Sequence, residues 1–300
     1  MSKTSLKERI KAGIFLLDGA MGTQLMTAGI EAGKCNDYLS IESPKAVLDI
    51  HRAYIEAGSD AVLTNTFGAN GYALSRHGLG DMVEKINITG GQIGRLAAGK
   101  DKYVLGDIGP SGDFLEPLGT LKPAELKNAF ARQAKALLAG GVDGFIIETM
   151  TALDEMIIAI EAIKSVSKLP ILASMAFDEA GGDFRTMMGV DVKTAVFGMA
   201  ELGVDAVGFN CGKASLDNYV KLAAKYVSAV TAQKKDIIIL AEPNAGKPEL
   251  IDGQVVYNVS PDNFALMAEK IHKAGVNIIG GCCGTVPEHI KALAKRLKQV

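Results

Sequence analysis

The chain contains no tryptophan, and aromatic residues make up only 6% of its 300 positions. Surfaces on which nucleic-acid bases stack are built from aromatic rings, so such platforms are disfavoured from the outset. Neither sign of charge is in excess: 32 basic residues face 34 acidic ones, the net charge is −2, and the signs are interspersed. The basic stripe of a nucleic-acid binder and the polybasic patch of a membrane-surface protein are both missing. Although 48% of the residues are hydrophobic, no apolar run reaches the roughly 18 residues needed to cross a bilayer. The opening Met-Ser-Lys-Thr-Ser-Leu-Lys-Glu-Arg-Ile lacks the apolar core of a signal peptide. These absences predict a cytoplasmic protein with no nucleic-acid or membrane partner, acting on a small molecule or meeting another protein.

Cysteine is also scarce, with four in the chain: Cys35, Cys211, Cys282 and Cys283. That number makes no disulfide framework, and a reducing compartment would disfavour one. A disulfide between the neighbours Cys282 and Cys283 would strain the peptide that joins them. Metal binding is the leading reading of that pair.

What the sequence does have is a repeated alternation. Short apolar runs at 14–18, 61–65, 103–107, 144–148, 171–175, 206–210, 237–242 and 276–280 read as strands. They are apolar nearly throughout, as suits strands buried on both faces. Between them, residues 45–57, 123–138, 154–166, 192–202, 216–230, 262–274 and 288–297 carry apolar side chains at helical spacing. Ala-Gly and Leu-Gly steps at 57–58, 139–140, 202–203 and 274–275 end several helices just before the next strand. Eight β-α units with short returns and no linker predict one α/β domain over 1–300, a (β/α)8 TIM barrel, with an open doubly wound sheet as the rival. The stretch 19–43 is too long for a minimal loop and is expected to cover part of the barrel mouth.

In such barrels the functional residues gather at the C-terminal strand ends. Those ends hold Asp18, Asn65, Asp107, Glu148, Ser174, Cys211, Glu242 and the pair Cys282-Cys283. One polar residue after a strand usually caps the next helix, but a full ring of them is harder to explain that way. Cys211 and the pair end the sixth and eighth strands, whose tips converge across one neighbour. Successive strand side chains point to opposite faces, so adjacent cysteines can meet one ion only where the backbone leaves the strand. The context Gly280-Gly281-Cys282-Cys283-Gly284 allows that departure. The plainer reading, cysteine as a small buried hydrophobe, fits Cys35, which has no partner at a strand end, and stays open for Cys211 taken alone.

Three thiolates favour zinc and leave a fourth position open. A zinc ion already carrying three thiolates is a weak Lewis acid toward water but can hold a fourth, substrate thiolate deprotonated and nucleophilic. Alkyl transfer to a thiol is the better-matched chemistry, and hydrolysis the weaker.

The segments Asp18-Gly19-Ala20-Met21-Gly22-Thr23, Thr64-Asn65-Thr66-Phe67, Ile147-Glu148-Thr149, Gly208-Phe209-Asn210-Cys211, Pro243-Asn244-Ala245-Gly246 and Gly280-Gly281-Cys282-Cys283-Gly284-Thr285 carry a resemblance. In this order they resemble the homocysteine S-methyltransferase family, most closely the homocysteine-binding barrel of the cobalamin-dependent methionine synthases. The resemblance implies that Cys211, Cys282 and Cys283 ligate zinc, with homocysteine sulfur at the open position. It implies that Asp18 and Glu148 hold the substrate ammonium, and that backbone amides between Gly19 and Thr23 receive the carboxylate. The competing role of Asp18 and Glu148 is helix capping. Asn65, Asp107 and Asn244 are expected to fix loops.

The sequence departs from that branch after Gly212, where Lys213-Ala214-Ser215 replaces a Gly-Pro step. It also has no Asp-x-His-x-x-Gly segment with which a corrinoid module would bind cobalt. The methyl donor is therefore expected to be a methylcorrinoid on a separate protein or a small sulfonium or ammonium compound, and the opening Asp-Gly-Ala-Met-Gly-Thr sides with the corrinoid-linked branch. Two other activities stay open: methyl transfer from a small methylated substrate to a corrinoid protein, and a zinc-stabilised barrel without catalysis. A closed structural zinc site would need a fourth protein ligand, and no further cysteine is placed to supply one.

Overall fold

The computed structural model describes residues 3–30, 33–251 and 254–298. Eight parallel strands form a nearly closed barrel. In chain order they are β1 (Phe15–Leu16), β2 (Ala61–Leu63), β3 (Tyr103–Ile108), β4 (Gly144–Met150), β5 (Ile171–Met175), and then, after the hairpin β6 (Asp178–Ala180) and β7 (Asp183–Arg185), β8 (Ala206–Asn210). β9 (Ile238–Glu242) follows, then a second hairpin of β10 (Glu249–Ile251) and β11 (Gln254–Val256), and last β12 (Ile278–Ile279). The pairing order β1-β12-β9-β8-β5-β4-β3-β2 runs steadily around the ring, which is the expected barrel and not the doubly wound sheet. The seam between β1 and β2 is spanned by a backbone bond from Asp60 N to Leu16 O at 2.7 Å. Above it, Asp18 Oδ2 accepts the Leu63 N–H at 3.0 Å.

The helices are α1 (Leu6–Lys11), α2 (Met21–Thr27), α3 (Leu39–Glu42), α4 (Pro44–Glu56), α5 (Gly71–Ser75) and α6 (Val83–Ala98). They continue with α7 (Pro123–Ala139), α8 (Leu153–Val166), α9 (Val192–Glu201), α10 (Leu216–Gln233), α11 (Pro261–Lys273) and α12 (Pro287–Leu297). Seven of these answer to the helices expected from periodicity, within one to three residues at each end. α6 does not: its interior holds Gly90, Gly91 and Gly94, residues that weaken a helix in isolation. Packing demands them. A Cβ on Gly90 would stand 2.6 Å from the Thr66 methyl, on Gly91 2.9 Å from Gly140 Cα, and on Gly94 2.9 Å from Val104 Cγ1. The two hairpins were not expected either.

Alternation along the strands sorts two apolar layers. Phe15, Leu17, Leu105, Ile146, Leu172, Leu240 and Ile278 fill the pore, while Leu16, Val104, Ile147, Val207 and Ile279 face the helices. Leu6 and Ile10 of α1 belong to the pore layer and plug its N-terminal end. Around that plug the same segment pairs with floor carboxylates: Lys3 with Asp143 at 3.0 Å, Lys7 with Asp205 at 2.9 Å, Arg9 with Asp60 at 3.2 Å and Lys11 with Asp236 at 2.6 Å. Three of those aspartates also bind the preceding strand, through Leu16 N, Val104 N and Ile171 N at 2.9, 2.8 and 3.0 Å. The plug thus fills the N-terminal end of the pore, opposite the C-terminal mouth. Of segment 19–43, expected over the mouth, residues 36 and 37 are tied to it: Asn65 Nδ2 donates to Asn36 O at 2.7 Å, and Gly68 N donates to Asp37 Oδ1 at 2.8 Å. Among the described residues no helix is long and apolar enough to cross a membrane.

Candidate metal centre and substrate site

Cys211, Cys282 and Cys283 meet at the mouth, with all three sulfurs within 4.8 Å of one another. Cys211 Sγ is 3.9 Å from Cys283 Sγ, and Cys282 Sγ is 4.0 Å from Cys283 Sγ. Zinc–sulfur bonds of about 2.3 Å in a tetrahedron would set sulfurs about 3.8 Å apart. The three thiols therefore form one face of a tetrahedral thiolate site with little rearrangement. Among the described residues no histidine, aspartate or glutamate joins the group, so none of these supplies a fourth ligand, and the Asn244 amide nitrogen lies beside it, 3.9 Å from Cys211 Sγ. Cys35 lies elsewhere, its sulfur 3.7 Å from Asp37 Oδ2.

Backbone departures aim the thiols. The Cys282-Cys283 turn is pinned on both sides: Cys282 N donates to Pro243 O at 2.9 Å, and Ala245 N donates to Cys283 O at 2.9 Å. Gly284 follows at φ 80°, where a Cβ would run into the Tyr257 ring. Cys211 itself adopts a left-handed backbone, φ 55°, which a non-glycine residue takes only when its surroundings hold it there. The holding groups are Glu242 O, which accepts Cys211 N–H at 3.2 Å, and Tyr219, whose hydroxyl donates to Cys211 O at 2.8 Å. Asn244 Nδ2 adds a bond to Gly212 O at 2.7 Å. Lys213, where the sequence leaves its nearest pattern, is tied to the β6–β7 hairpin through its N–H to Asp178 Oδ1 at 2.7 Å. Its different loop is thus anchored by an element the sequence did not announce.

Beside the thiols stand carboxylates. Asp18, Asp107 and Glu242 are buried and Glu148 is half-buried. Asp107 Oδ1 and Glu242 Oε2 have no hydrogen-bond partner. Burial pushes Asp18, Asp107 and Glu242 well above the usual carboxylate range, with Glu148 adding repulsion to each. Glu148 is raised to about 8, by burial first and then by Cys211. Asp18 has one near neighbour of potentially opposite sign, His51 Nδ1 at 4.0 Å. That imidazole is wholly buried, and burial lowers it to about 4, so it is neutral. Among the described residues no lysine or arginine pairs with any of the four carboxylates. An acidic pocket lacking its own cation suits a cationic group brought by a ligand.

The structure brings Asp18, Glu148 and the three cysteines to one mouth, and adds Asp107 and Glu242 to the same pocket. Gly19 and Thr23 flank the cysteine turn: Thr23 Oγ1 accepts Gly284 N–H at 3.1 Å. A Cβ on Gly19 would stand 2.8 Å from both Thr285 Oγ1 and the Tyr54 ring. The Ala20 amide already donates to Thr285 Oγ1 at 3.0 Å, while the first turn of α2 has no side-chain cap. Asn210 and Tyr219 hold the thiols in place and were not singled out by sequence. The signal available for Asn210 was a polar residue as the last member of an apolar strand.

The family model described as Homocysteine S-methyltransferase matches residues 15–297. The chain belongs to the homocysteine S-methyltransferase family. Among curated relatives, the methionine synthases of Mycobacterium tuberculosis and Mycobacterium leprae are each 31% identical, over 99% and 97% of this chain. The chain spans about a quarter of their length, 26% and 25%. Among solved structures, the metallated form of the homocysteine methyltransferase MmuM from Escherichia coli superposes with a TM-score of 0.79 at 21% identity, covering 97% of this chain and 99% of that one. At a TM-score of 0.51 and 14% identity, the carboxyl transferase domain of Rhizobium etli pyruvate carboxylase shares the barrel over 92% of this chain and 41% of that one. These likenesses are of fold. The family match and the cysteine cluster together describe a member of this family with a metal-capable thiol site.

Proposed function

We propose that this family member methylates the sulfur of homocysteine, giving methionine, with zinc held by Cys211, Cys282 and Cys283. The observation that carries the reading is the placement of an open three-thiol face beside an acidic pocket without a cation. A short amino-thiol satisfies both at once, sulfur toward the metal and ammonium toward Glu148 and Asp18. Bound zinc would supply the positive charge that keeps a substrate thiolate deprotonated at neutral pH. The protein's own groups do the rest. Glu148 and Asp18 orient the substrate through its ammonium, and the uncapped amides of the first turn of α2, from Met21 to Thr23, receive its carboxylate. The plugged floor and apolar pore lining leave the sulfur facing the open mouth. There the sulfur lone pair forms the new S–CH3 bond as the donor–CH3 bond breaks, and the departing donor keeps that bond's electrons.

The donor assigned here is a methylcorrinoid carried by a separate protein. The mouth rim supports a protein over a free small molecule, for it exposes large apolar side chains on several loops: Phe67, Phe114, Leu118 and Met187, the last two 73% and 70% exposed. Such side chains on one rim suit a docking partner. Reduced cysteines serving as zinc ligands support a cytoplasmic location.

Zinc-edge X-ray absorption on zinc-loaded protein tests the acceptor half. Saturating homocysteine should raise the sulfur ligands from about three to about four. A count fixed at three under saturation would refute sulfur ligation. Methionine formation from homocysteine should follow addition of a methylcorrinoid protein, and formation with S-methylmethionine alone would replace that donor assignment.

A further inference from the structure

Asn210 is the last residue of β8, one position before Cys211, and is 1% exposed. Its Oδ1 accepts the Thr149 N–H at 2.8 Å and the Ser174 hydroxyl at 2.8 Å. A backbone N–H can only donate, so the amide cannot be turned over, and its nitrogen must face the other way. On that side Nδ2 donates one hydrogen to Thr149 Oγ1 at 2.7 Å. The second hydrogen has two acceptors, Glu148 Oε2 at 3.4 Å and Cys282 Sγ at 3.8 Å. Both contacts are long, as befits one hydrogen held between two acceptors, and the other three bonds keep the amide from turning wholly toward either.

We propose that Asn210 couples the ammonium side of the site to the metal side, through the one amide hydrogen that Glu148 and Cys282 share. The proposal rests on the amino-thiol reading above. With an ammonium on Glu148, that carboxylate has a stronger donor and draws less on Asn210. The shared hydrogen then leans toward Cys282 and stabilises its thiolate as a metal ligand. The effect is reciprocal: a metal-bound thiolate that takes the hydrogen leaves Glu148 a better acceptor for an ammonium. The amino-acid part of the substrate and the metal thus bind better together than apart, before the substrate sulfur contributes. Asn210 is a positioning residue here and touches no reacting atom.

2-Aminobutyrate carries the amino-acid part of homocysteine without its sulfur, so it probes the ammonium side alone. Zinc affinity is measured by chelator competition on the full chain, with and without this probe at saturation. Wild type should hold zinc about fivefold or more tighter with the probe present. Asn210→Ala should hold zinc about 10- to 100-fold more weakly and be indifferent to the probe. Wild-type linkage persisting in Asn210→Ala would mean that the ammonium acts on the metal through space, and overturns the proposal. So does a wild type whose zinc affinity ignores a probe that calorimetry shows to bind; in that case the amino-thiol reading stands. If zinc-loaded wild type does not bind the probe at all, that reading fails and the coupling falls with it. Should Asn210→Ala not fold, Asn210→Ser carries the same expectations, because its hydroxyl is too short to reach both acceptors.

Discussion

Cys211 and Cys283 are 72 residues apart in the chain, yet their sulfurs stand 3.9 Å from each other. Cys282, the covalent neighbour of Cys283, comes no closer to it, at 4.0 Å. The turn, and not adjacency, sets the spacing, so loss of any one thiol should break the site. Purified protein should carry about one zinc per chain. After mild chelation Cys283→Ala should retain almost none, while Cys35→Ala matches wild type. Elemental analysis decides it, and full zinc in Cys283→Ala would remove that residue from the ligand set.

Glu148 gives a cleaner test of the ammonium subsite than Asp18, whose carboxylate also closes the β1–β2 seam through Leu63 N. A charge-assisted bond to an ammonium is worth about 1.5–3 kcal/mol, or roughly 10- to 150-fold in affinity. Glu148→Gln should weaken homocysteine by that factor, keep its zinc, and leave propanethiol binding nearly unchanged. Calorimetry with both thiols reads the difference. Equal losses would assign Glu148 to the zinc shell or the fold.

The pH dependence follows from the same carboxyl, held at about 8 against an ordinary 4.5. Only its ionised form attracts an ammonium, so below about 8 a proton must leave before substrate binds, and affinity rises with pH. The substrate thiol must also shed a proton. Between roughly pH 6 and 7.5 the logarithm of homocysteine affinity should climb more steeply in wild type than in Glu148→Gln, by about one per pH unit. For folding the sign reverses. From 4.5 to about 8 the folded chain keeps a proton that the unfolded chain has lost, so this group's contribution to stability falls as pH rises. Urea melts should show Glu148→Gln gaining on wild type between pH 5 and pH 8.

Ile10 is fully buried in the pore floor. Ile10→Ala should cost about 2–5 kcal/mol in urea unfolding, with zinc content unchanged, because the floor lies at the opposite end from the thiols. A loss below about 1 kcal/mol would mean that α1 is not a structural plug.

The barrel was legible in the sequence, because eight apolar runs buried on both faces leave few arrangements with short returns. So was the thiol set, since only Cys211, Cys282 and Cys283 fall at strand ends where a parallel barrel gathers its loops. Short-range pattern carries no information on what packs against what, and there the structure decided. Gly90, Gly91 and Gly94 weaken a helix locally, yet α6 forms because other chain segments approach within 3 Å of where side chains would begin. Nothing near Cys211 in the chain marks it for a left-handed backbone. Its φ of 55° is imposed by Tyr219 and Glu242, the latter from the neighbouring strand. The charged opening segment lacks any helical stripe long enough to read, but Leu6 and Ile10 close the pore by packing into its apolar layer, and four floor aspartates pair with the segment's cations. Asn210 joins Glu148 to Cys282 for the same reason: the tips of β4, β8 and β12, each separated from the next by one strand, meet across the mouth only because the sheet curls into a ring.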